Sequence, residues 1–296
     1  MTDAYTLTVA LRGSWSGGRG IACCPAHDDR SPSLSLADGT DGRLLLHCHA
    51  GCTFAEVQAA LRECGLIART ETFRPVARVV DAERLAAERA VLEKRMRQAR
   101  RIWDEAVPIK GTPGELYLRA RGITCPLPST LRYLGDCWHQ SAKRSPALIS
   151  YVCNVGETKS FAVHRTYLSK EHTGKADLIP NKAMLGPVSG GAVALNHVKG
   201  PLVVTEGIET GLSLLSGLHV KTAMVWSALS AGGMERLNLP KATGKLVVAS
   251  DGDPVGRKAA DALATRAQAL GWEVSLLLAP DGFDWNDVLT GKAVAA

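Results

Sequence analysis

The chain has 296 residues, 46% hydrophobic and 22% charged, which excludes global disorder and suggests about two domains plus a small module. No apolar run approaches the roughly 18 residues of a membrane helix, and Met1–Arg12 lacks a signal-peptide core, so a cytoplasmic protein with no membrane partner is expected. The excess of 35 Lys and Arg over 29 Asp and Glu permits a polyanionic partner without demanding one.

Of eight cysteines, Cys23, Cys24, Cys48, Cys52 and Cys64 crowd the first segment, residues 1–68, while Cys125, Cys137 and Cys153 are scattered and read as structural. In a reducing compartment such crowding points to a metal rather than to disulfides. Cys24-Pro-Ala-His27 is followed by twenty residues and then by Cys48-His-Ala-Gly-Cys52. Two close pairs on two turns supply the four N/S ligands of tetrahedral zinc. A small hairpin with turns at Pro32 and Gly39–Gly42 fits between them. The expected ligands are Cys24, His27, Cys48 and Cys52. Cys23, His47 and His49 are competing donors, and the tighter spacing of His49 and Cys52 leaves Cys48 and His49 as alternatives for the third ligand. Four protein ligands leave no open position, so this zinc is expected to be structural. The segment closes on an amphipathic helix, Thr53–Leu61, with Thr53 as N-cap, Glu56 three residues later and a stop near Gly65.

Residues 69–107 contain no Gly and read as a basic helical linker. Over Asp81–Val107, Leu85, Val91, Leu92, Met96, Ile102 and Trp103 fall at helical spacing, and Lys94, Arg95, Arg97, Arg100 and Arg101 make the second half basic. That half is either a solvated face or a contact for nucleic-acid phosphates.

Residues 108–199 open with a Gly/Pro break, Pro108–Gly114, and hold two strand candidates, Ala147–Cys153 and Ser160–Leu168, separated by a turn signal at Asn154-Val-Gly156. In the second strand Val163 and Arg165 share one face; Ala162, His164 and Thr166 share the other. Residues 200–296 alternate apolar runs (Leu202–Val204, Thr222–Trp226, Leu246–Ala249, Trp272–Leu278) with helical patterns, which predicts a mostly parallel sheet with helices on its faces.

Acidic groups sit at the ends of these strands. Glu206-Gly207 follows Leu202–Thr205, Asp251-Gly-Asp253 follows Lys245–Ser250, and Asp284-Trp-Asn-Asp287 lies shortly after Trp272–Leu278. Ligands of open α/β sheets bind at the carboxyl ends of the strands, and converging carboxylates suit magnesium or manganese. An isolated Asp-Gly-Asp is usually a turn. Glu-Gly after one strand and Asp-x-Asp after another, about 45 residues on, is far more specific.

Cys24-Pro-Ala-His-Asp-Asp-Arg-Ser-Pro-Ser-Leu34, with His47-Cys-His-Ala-Gly-Cys52, resembles the zinc ribbon of bacterial and phage DNA primases, with one extra residue in the second pair. The pattern of Glu206, Asp251 and Asp253 is similar to the Toprim fold of primases, topoisomerases and some nucleases, over about residues 200–290. Joined, and with Thr112–Gly122 and His164–Leu168 between them, the two resemble a DnaG-type primase of the compact phage- or plasmid-borne kind. The resemblance implies an α/β and α+β multidomain chain: a zinc ribbon (1–68), a helical linker (69–107), a mixed α+β part of the core (108–199) and a C-terminal Toprim domain with a mostly parallel sheet (200–296). It implies that Glu206 acts as metal ligand or general acid/base, that Asp251 and Asp253 are paired metal ligands, and that Asp287 joins them as a magnesium or manganese ligand, with Asp284 as a lesser candidate for the same cleft. Arg165, Lys175, Lys182, Arg257 and Lys258 become candidate contacts for triphosphates or template.

The implied activity is synthesis of short RNA primers from NTPs on single-stranded DNA, with one structural zinc and catalytic magnesium or manganese. Only Gly291–Ala296 follow the Toprim stretch, so a replicative helicase is expected to act in trans. Two rival readings are a Toprim nuclease, whose metal-bound carboxylates activate water, and a non-catalytic zinc-containing DNA-binding protein. A topoisomerase needs a strand-passage domain for which the length leaves no room.

Overall fold

The computed structural model describes residues 3–29, 31–39, 43–67, 82–154, 160–171, 174–217 and 222–294. Residues 40–42 and 155–159, where two turns were expected, and 69–81 of the expected linker lie outside the described residues. The chain divides into two units, Met1–Leu85 and Ala86–Ala296.

In the first unit, helix α1 (Ala4–Ala10) precedes strands β1 (Ser14–Ser16), β2 (Arg19–Ala22), β3 (Leu34–Asp38) and β4 (Leu44–Cys48), and α2 (Phe54–Glu63) follows. The four strands pair antiparallel in chain order. Leu34, Leu36 and Leu44 point inward and meet Leu7 of α1 and Val57 and Leu61 of α2 in one core, which also takes in Cys24 and Cys48. The predicted capping box starts α2: Thr53 accepts from the Glu56 N–H, and Glu56 accepts from the Thr53 N–H. A sheet edge and a capped helix thus fix the backbone that carries the sulfurs.

Helix α3 (Ala82–Glu105) is not a free linker along its second half. Ala99 is fully buried, Ile102 and Trp103 pack beside it, and the Arg132 guanidinium lies 4.3 Å from the Trp103 ring while donating to the Trp103 carbonyl at 2.9 Å. Arg97 and Arg101 pair with Glu93 and Glu105 one turn away, so part of the basic run is neutralised within the helix.

The second unit continues with β5 (Val107–Pro108), α4 (Pro113–Ala120), β6 (Leu131–Trp138), β7 (Arg144–Asn154), β8 (Ala162–Tyr167), β9 (Lys182–Leu185) and β10 (Gly191–Ala194). Then come β11 (Leu202–Thr205), α5 (Ile208–Gly217), β12 (Met224–Ser227), α6 (Ala231–Arg236), β13 (Lys245–Ser250), α7 (Pro254–Ala269), β14 (Glu273–Leu278) and α8 (Trp285–Leu289). One ten-stranded sheet runs β14-β13-β11-β12-β10-β7-β6-β5, with β8 paired to β7 and β9 to β8. The strands β12, β11, β13 and β14 are parallel; β10 joins them to the antiparallel part by pairing antiparallel with both β12 and β7.

The three inner parallel strands, β12, β11 and β13, are covered on both faces, as their near-continuous apolar runs require, whereas the edge strand β14 leaves Leu276 and Leu278 exposed. Val203, Val225 and Ala249 face Ile208 and Leu212 of α5 and Trp285 of α8; Leu202, Val204, Leu246 and Val248 face Met234 of α6 and Ala259 and Leu263 of α7. The chain leaves β11 through α5 to β12 on one side, then crosses to β13 and β14 on the other. Strand order therefore reverses between β11 and β13, where such sheets open a crevice. No helix among the described residues is long and apolar enough to cross a membrane.

Candidate active site and metal centre

In the first unit, Cys24 and His27 lie on the turn after β2, Cys48 ends β4, and Cys52 immediately precedes the N-cap of α2. Their ligand atoms all lie within 4.8 Å of one another. His27 Nδ1 is 3.3 Å from Cys52 Sγ and 4.0 Å from Cys48 Sγ. With metal–ligand bonds of about 2.0–2.3 Å, the edges of a zinc tetrahedron are roughly 3.5–3.8 Å, so three sulfurs and one nitrogen at these separations fit that ion.

Of the two residues that compete in sequence, Cys48 joins the cluster. His49 instead meets Ser35 Oγ through Nε2 at 2.8 Å and stacks edge-on with His47. Burial pushes the Cys24 thiol up to about 12 and also raises Cys52. Burial acts the same way on Cys48, but the backbone N–H groups of Cys52 and Ala50 and the Ser33 hydroxyl outweigh it and bring that thiol down to about 6. Asp29, which sequence reasoning passed over, braces the turn. It accepts from the Ser33 hydroxyl at 2.6 Å and the Cys24 N–H at 2.7 Å, which hold its carboxyl at about 2, and it lies 3.8 Å from His27 Nε2. A carboxylate behind a ligating imidazole commonly fixes its orientation.

In the second unit, Glu206 follows β11 directly and Asp251 follows β13 directly, so the crossover brings both to the reversal of strand order. Burial and then Asp253 raise the Glu206 carboxyl; burial, Glu206 and Asp284 push Asp251 up to about 7. Glu206 and Asp251 repel each other in a poorly solvated place, a condition that a bound cation relieves, while Asp253 beside them is exposed. Hard oxygens are the donor type that magnesium and manganese take, but among the described residues the ligand atoms gathered within 4.8 Å of one another are those of Cys24, His27, Cys48 and Cys52; what links these carboxylates is their electrostatic coupling.

Local structure holds the set in place. Thr210, in the first turn of α5, donates its hydroxyl to Asp251 Oδ1 at 3.3 Å, and Ser227 Oγ donates to the Glu206 carbonyl at 3.1 Å. Asp253 caps α7 by accepting from the Gly256 N–H at 2.6 Å. Gly252, between the two aspartates, has no room for a Cβ, which would run into the Pro280 carbonyl.

Asp287 is placed differently from the expectation. It completes a capping box with Asp284 at the start of α8 and lies 3.3 Å from Lys292 Nζ, whereas Asp284 is the acid whose charge Asp251 feels.

The candidate basic residues separate into three groups. Lys175 and Lys182 both approach Glu209, at 3.6 and 3.8 Å. Arg257, in the first turn of α7, pairs with Asp281, and Lys258 beside it is exposed. Arg165 is not brought to the cluster: it is 6% exposed, donates to the Trp138 carbonyl at 3.2 Å and lies on the face of β8 that carries Val163 and Tyr167, opposite to His164 and Thr166. That face packs against α3, away from the carboxylates.

Glu209, Thr210 and Tyr117 contact the expected residues here but were not themselves expected from the sequence. Glu209 and Thr210 stand three and four residues after Glu206, and α5 begins between them and it. Tyr117 reaches Glu209 from 92 residues away, and nothing local marks it.

Residues 93–195 match a family described as a domain of unknown function (DUF7146), and residues 201–294 match the Toprim domain. A comparison with curated proteins finds no match. Among solved structures, the zinc-binding and RNA polymerase domains of the Aquifex aeolicus primase are 14% identical, with a TM-score of 0.41 over 98% of this chain and 79% of that one. A DNA primase domain from Pseudomonas aeruginosa is 17% identical, with a TM-score of 0.41 over 67% and 75%. The primase fragment of the bacteriophage T7 primase-helicase is 13% identical, with a TM-score of 0.33 over 93% and 98%. Every carboxylate of the cluster lies within residues 201–294, the stretch that matches the Toprim domain.

Proposed function

We propose that the chain is a DNA primase that makes short RNA primers on single-stranded DNA by metal-dependent nucleotidyl transfer. The observation that carries the reading is a set of coupled carboxylates beside a lysine pair: Glu206 and Asp251 at the strand ends, Lys182 acting on Glu206, and Lys175 and Lys182 gathered on Glu209 of the next helix turn. A triphosphate with its divalent ion needs both an anionic and a cationic compartment. Glu206, Asp251 and Asp253 would hold magnesium or manganese, and Lys175 and Lys182 would bind phosphate oxygens. The chemistry such an ion would supply is activation of the attacking 3′-hydroxyl and neutralisation of charge on the pyrophosphate leaving group. Thr210 orients Asp251, and the raised Asp251 carboxyl gives up its proton when the site is loaded.

In this reading residues 1–68 form a zinc ribbon that contacts template and takes no part in the chemistry. The divisions at 69–107, 108–199 and 200–296 follow as linker, α+β part and Toprim domain. The exposed basic residues of α3, with Arg257 and Lys258, follow the template phosphates. A replicative helicase acts in trans. A nuclease would use the same carboxylates to activate water, but the lysine pair favours a triphosphate. Zinc-loaded protein, single-stranded templates, labelled NTPs and Mg²⁺ or Mn²⁺ are expected to yield short RNA. Plasmid nicking without NTP incorporation would establish the nuclease instead, and DNA binding without either would establish the non-catalytic protein.

A further inference from the structure

Lys175 follows β8 and Lys182 opens β9, yet both ammonium groups meet one carboxylate. Lys175 Nζ is 3.6 Å from Glu209 Oε1 and Lys182 Nζ is 3.8 Å from Oε2. Tyr117 of α4 donates its hydroxyl to Oε1 at 2.9 Å. Glu209 is 5% exposed, while the lysine side chains keep 30% and 36% of their surface in solvent. The carboxylate is the fixed member of the group and the lysines are the movable ones.

The neighbouring groups on the same sheet face cannot replace it. Thr166 is the cross-strand partner of Lys182, and His164 pairs across from Ser150. All three are buried and uncharged at neutral pH, and His164 Nδ1, Thr166 Oγ1 and Ser150 Oγ make no hydrogen bond. The charge of Lys182 also acts on Glu206, a member of the carboxylate cluster. A lysine is a point charge on a flexible four-carbon stem. Without Glu209 it would settle on Glu206, where an ammonium competes directly with a divalent ion.

We infer that Glu209, anchored by Tyr117, is a positioning residue that keeps the Lys175 and Lys182 ammonium groups out of the carboxylate cluster, so that a cation compartment and an anion compartment stand side by side. The inference rests on the reading of Glu206, Asp251 and Asp253 as a divalent-metal site, and not on which reaction that metal serves.

The test is equilibrium binding of Mn²⁺ to the full, zinc-loaded chain without nucleotide, followed by the paramagnetic signal of the free ion. E209Q keeps the shape and an acceptor for Tyr117 but removes the charge. It is expected to weaken Mn²⁺ binding by about tenfold, the factor set by one misplaced charge a few ångströms away in a partly solvated site. The double variant E209Q/K182Q is expected to return to within about twofold of wild type. A merely structural role for Glu209 would not be rescued by removing its partner. If E209Q does not fold, Y117F serves in its place, with a loss of about two- to threefold that K182Q again cancels. Wild-type affinity in E209Q or Y117F, or a loss that K182Q leaves in place, overturns the inference alone. Absence of Mn²⁺ binding in wild type and D251N alike overturns the metal site and the inference with it.

Discussion

The Thr210 hydroxyl donates to Asp251 Oδ1 at 3.3 Å, tying the first turn of α5 to the end of β13 across the reversal of strand order. Asp251 is also the acid that burial, Glu206 and Asp284 push up to about 7. D251N should therefore lower NTP incorporation by more than about 100-fold, the scale on which loss of a charge-stabilising group acts. T210V should cost about tenfold, since it removes one hydrogen bond to a charged group. Zinc content, measured by atomic absorption, should be unchanged in both.

Asp284 and Asp287 share a capping box, but only Asp284 bears on Asp251. D287N should cost about 1 kcal/mol of stability, as loss of a cap interaction does, and leave Mn²⁺ affinity within about twofold. D284N should weaken both. Equal metal affinity in the two variants would show that Asp284 takes no part in the cluster.

One metal per chain is expected in the first unit, held by Cys24, His27, Cys48 and Cys52. C52S or chelation should release it and melt the sheet β1–β4, because folding of small zinc modules depends on the ion. H49Q should retain it, since the His49 ring is occupied with Ser35. Metal analysis with far-ultraviolet circular dichroism distinguishes the variants.

His164 links stability to pH. Its unfolded value is 6.5, and burial, helped by Lys182, holds it down to about 4 in the folded chain. Between these values the unfolded chain binds more protons. Its stabilising contribution is therefore complete above pH 6.5 and is lost as pH falls towards 4, by up to about 1.4 kcal/mol per pH unit. H164Q should flatten that slope in denaturant titrations at pH 6.5 and 4.5.

Gly252 is required by space rather than by backbone angle. G252A would drive a Cβ against the Pro280 carbonyl and separate the two aspartates from the loop before α8. A loss of about 1–3 kcal/mol is expected, as for other overpacked sites, together with loss of metal binding. An unchanged melting temperature would show that the loop yields freely.

The residues legible in the sequence were those whose chemistry is set by near neighbours. Cys24 and His27 announce a ligand pair by spacing, Thr53 and Glu56 a helix start, and the apolar runs ending at Thr205 and Ser250 two strands that deliver acids. Arg165 was misplaced because alternation gives the two faces of β8 without saying which meets α3 and which meets α5. The placement of Asp287 was obscured because Asp284, three residues before it, is equally acidic, and both enter the capping box of α8 while only Asp284 acts on Asp251. Tyr117 was out of reach because its partner lies 92 residues downstream. Glu209 was within reach, one helical turn beyond Glu206, but it reads as a solvated charge until the lysines are seen to converge on it.

The two family matches end and begin at residues 195 and 201, between β10 and β11, yet β10 is the strand through which β12 and β7 are joined in one sheet. A break in sequence kinship therefore falls where the hydrogen-bond ladder has none. Severed there, the Toprim stretch would present the bare edge of β12, with Trp226, to any passing strand, an open invitation to aggregation. In this chain the sheet is thus one structural unit that spans both matched stretches, and neither stretch completes it alone.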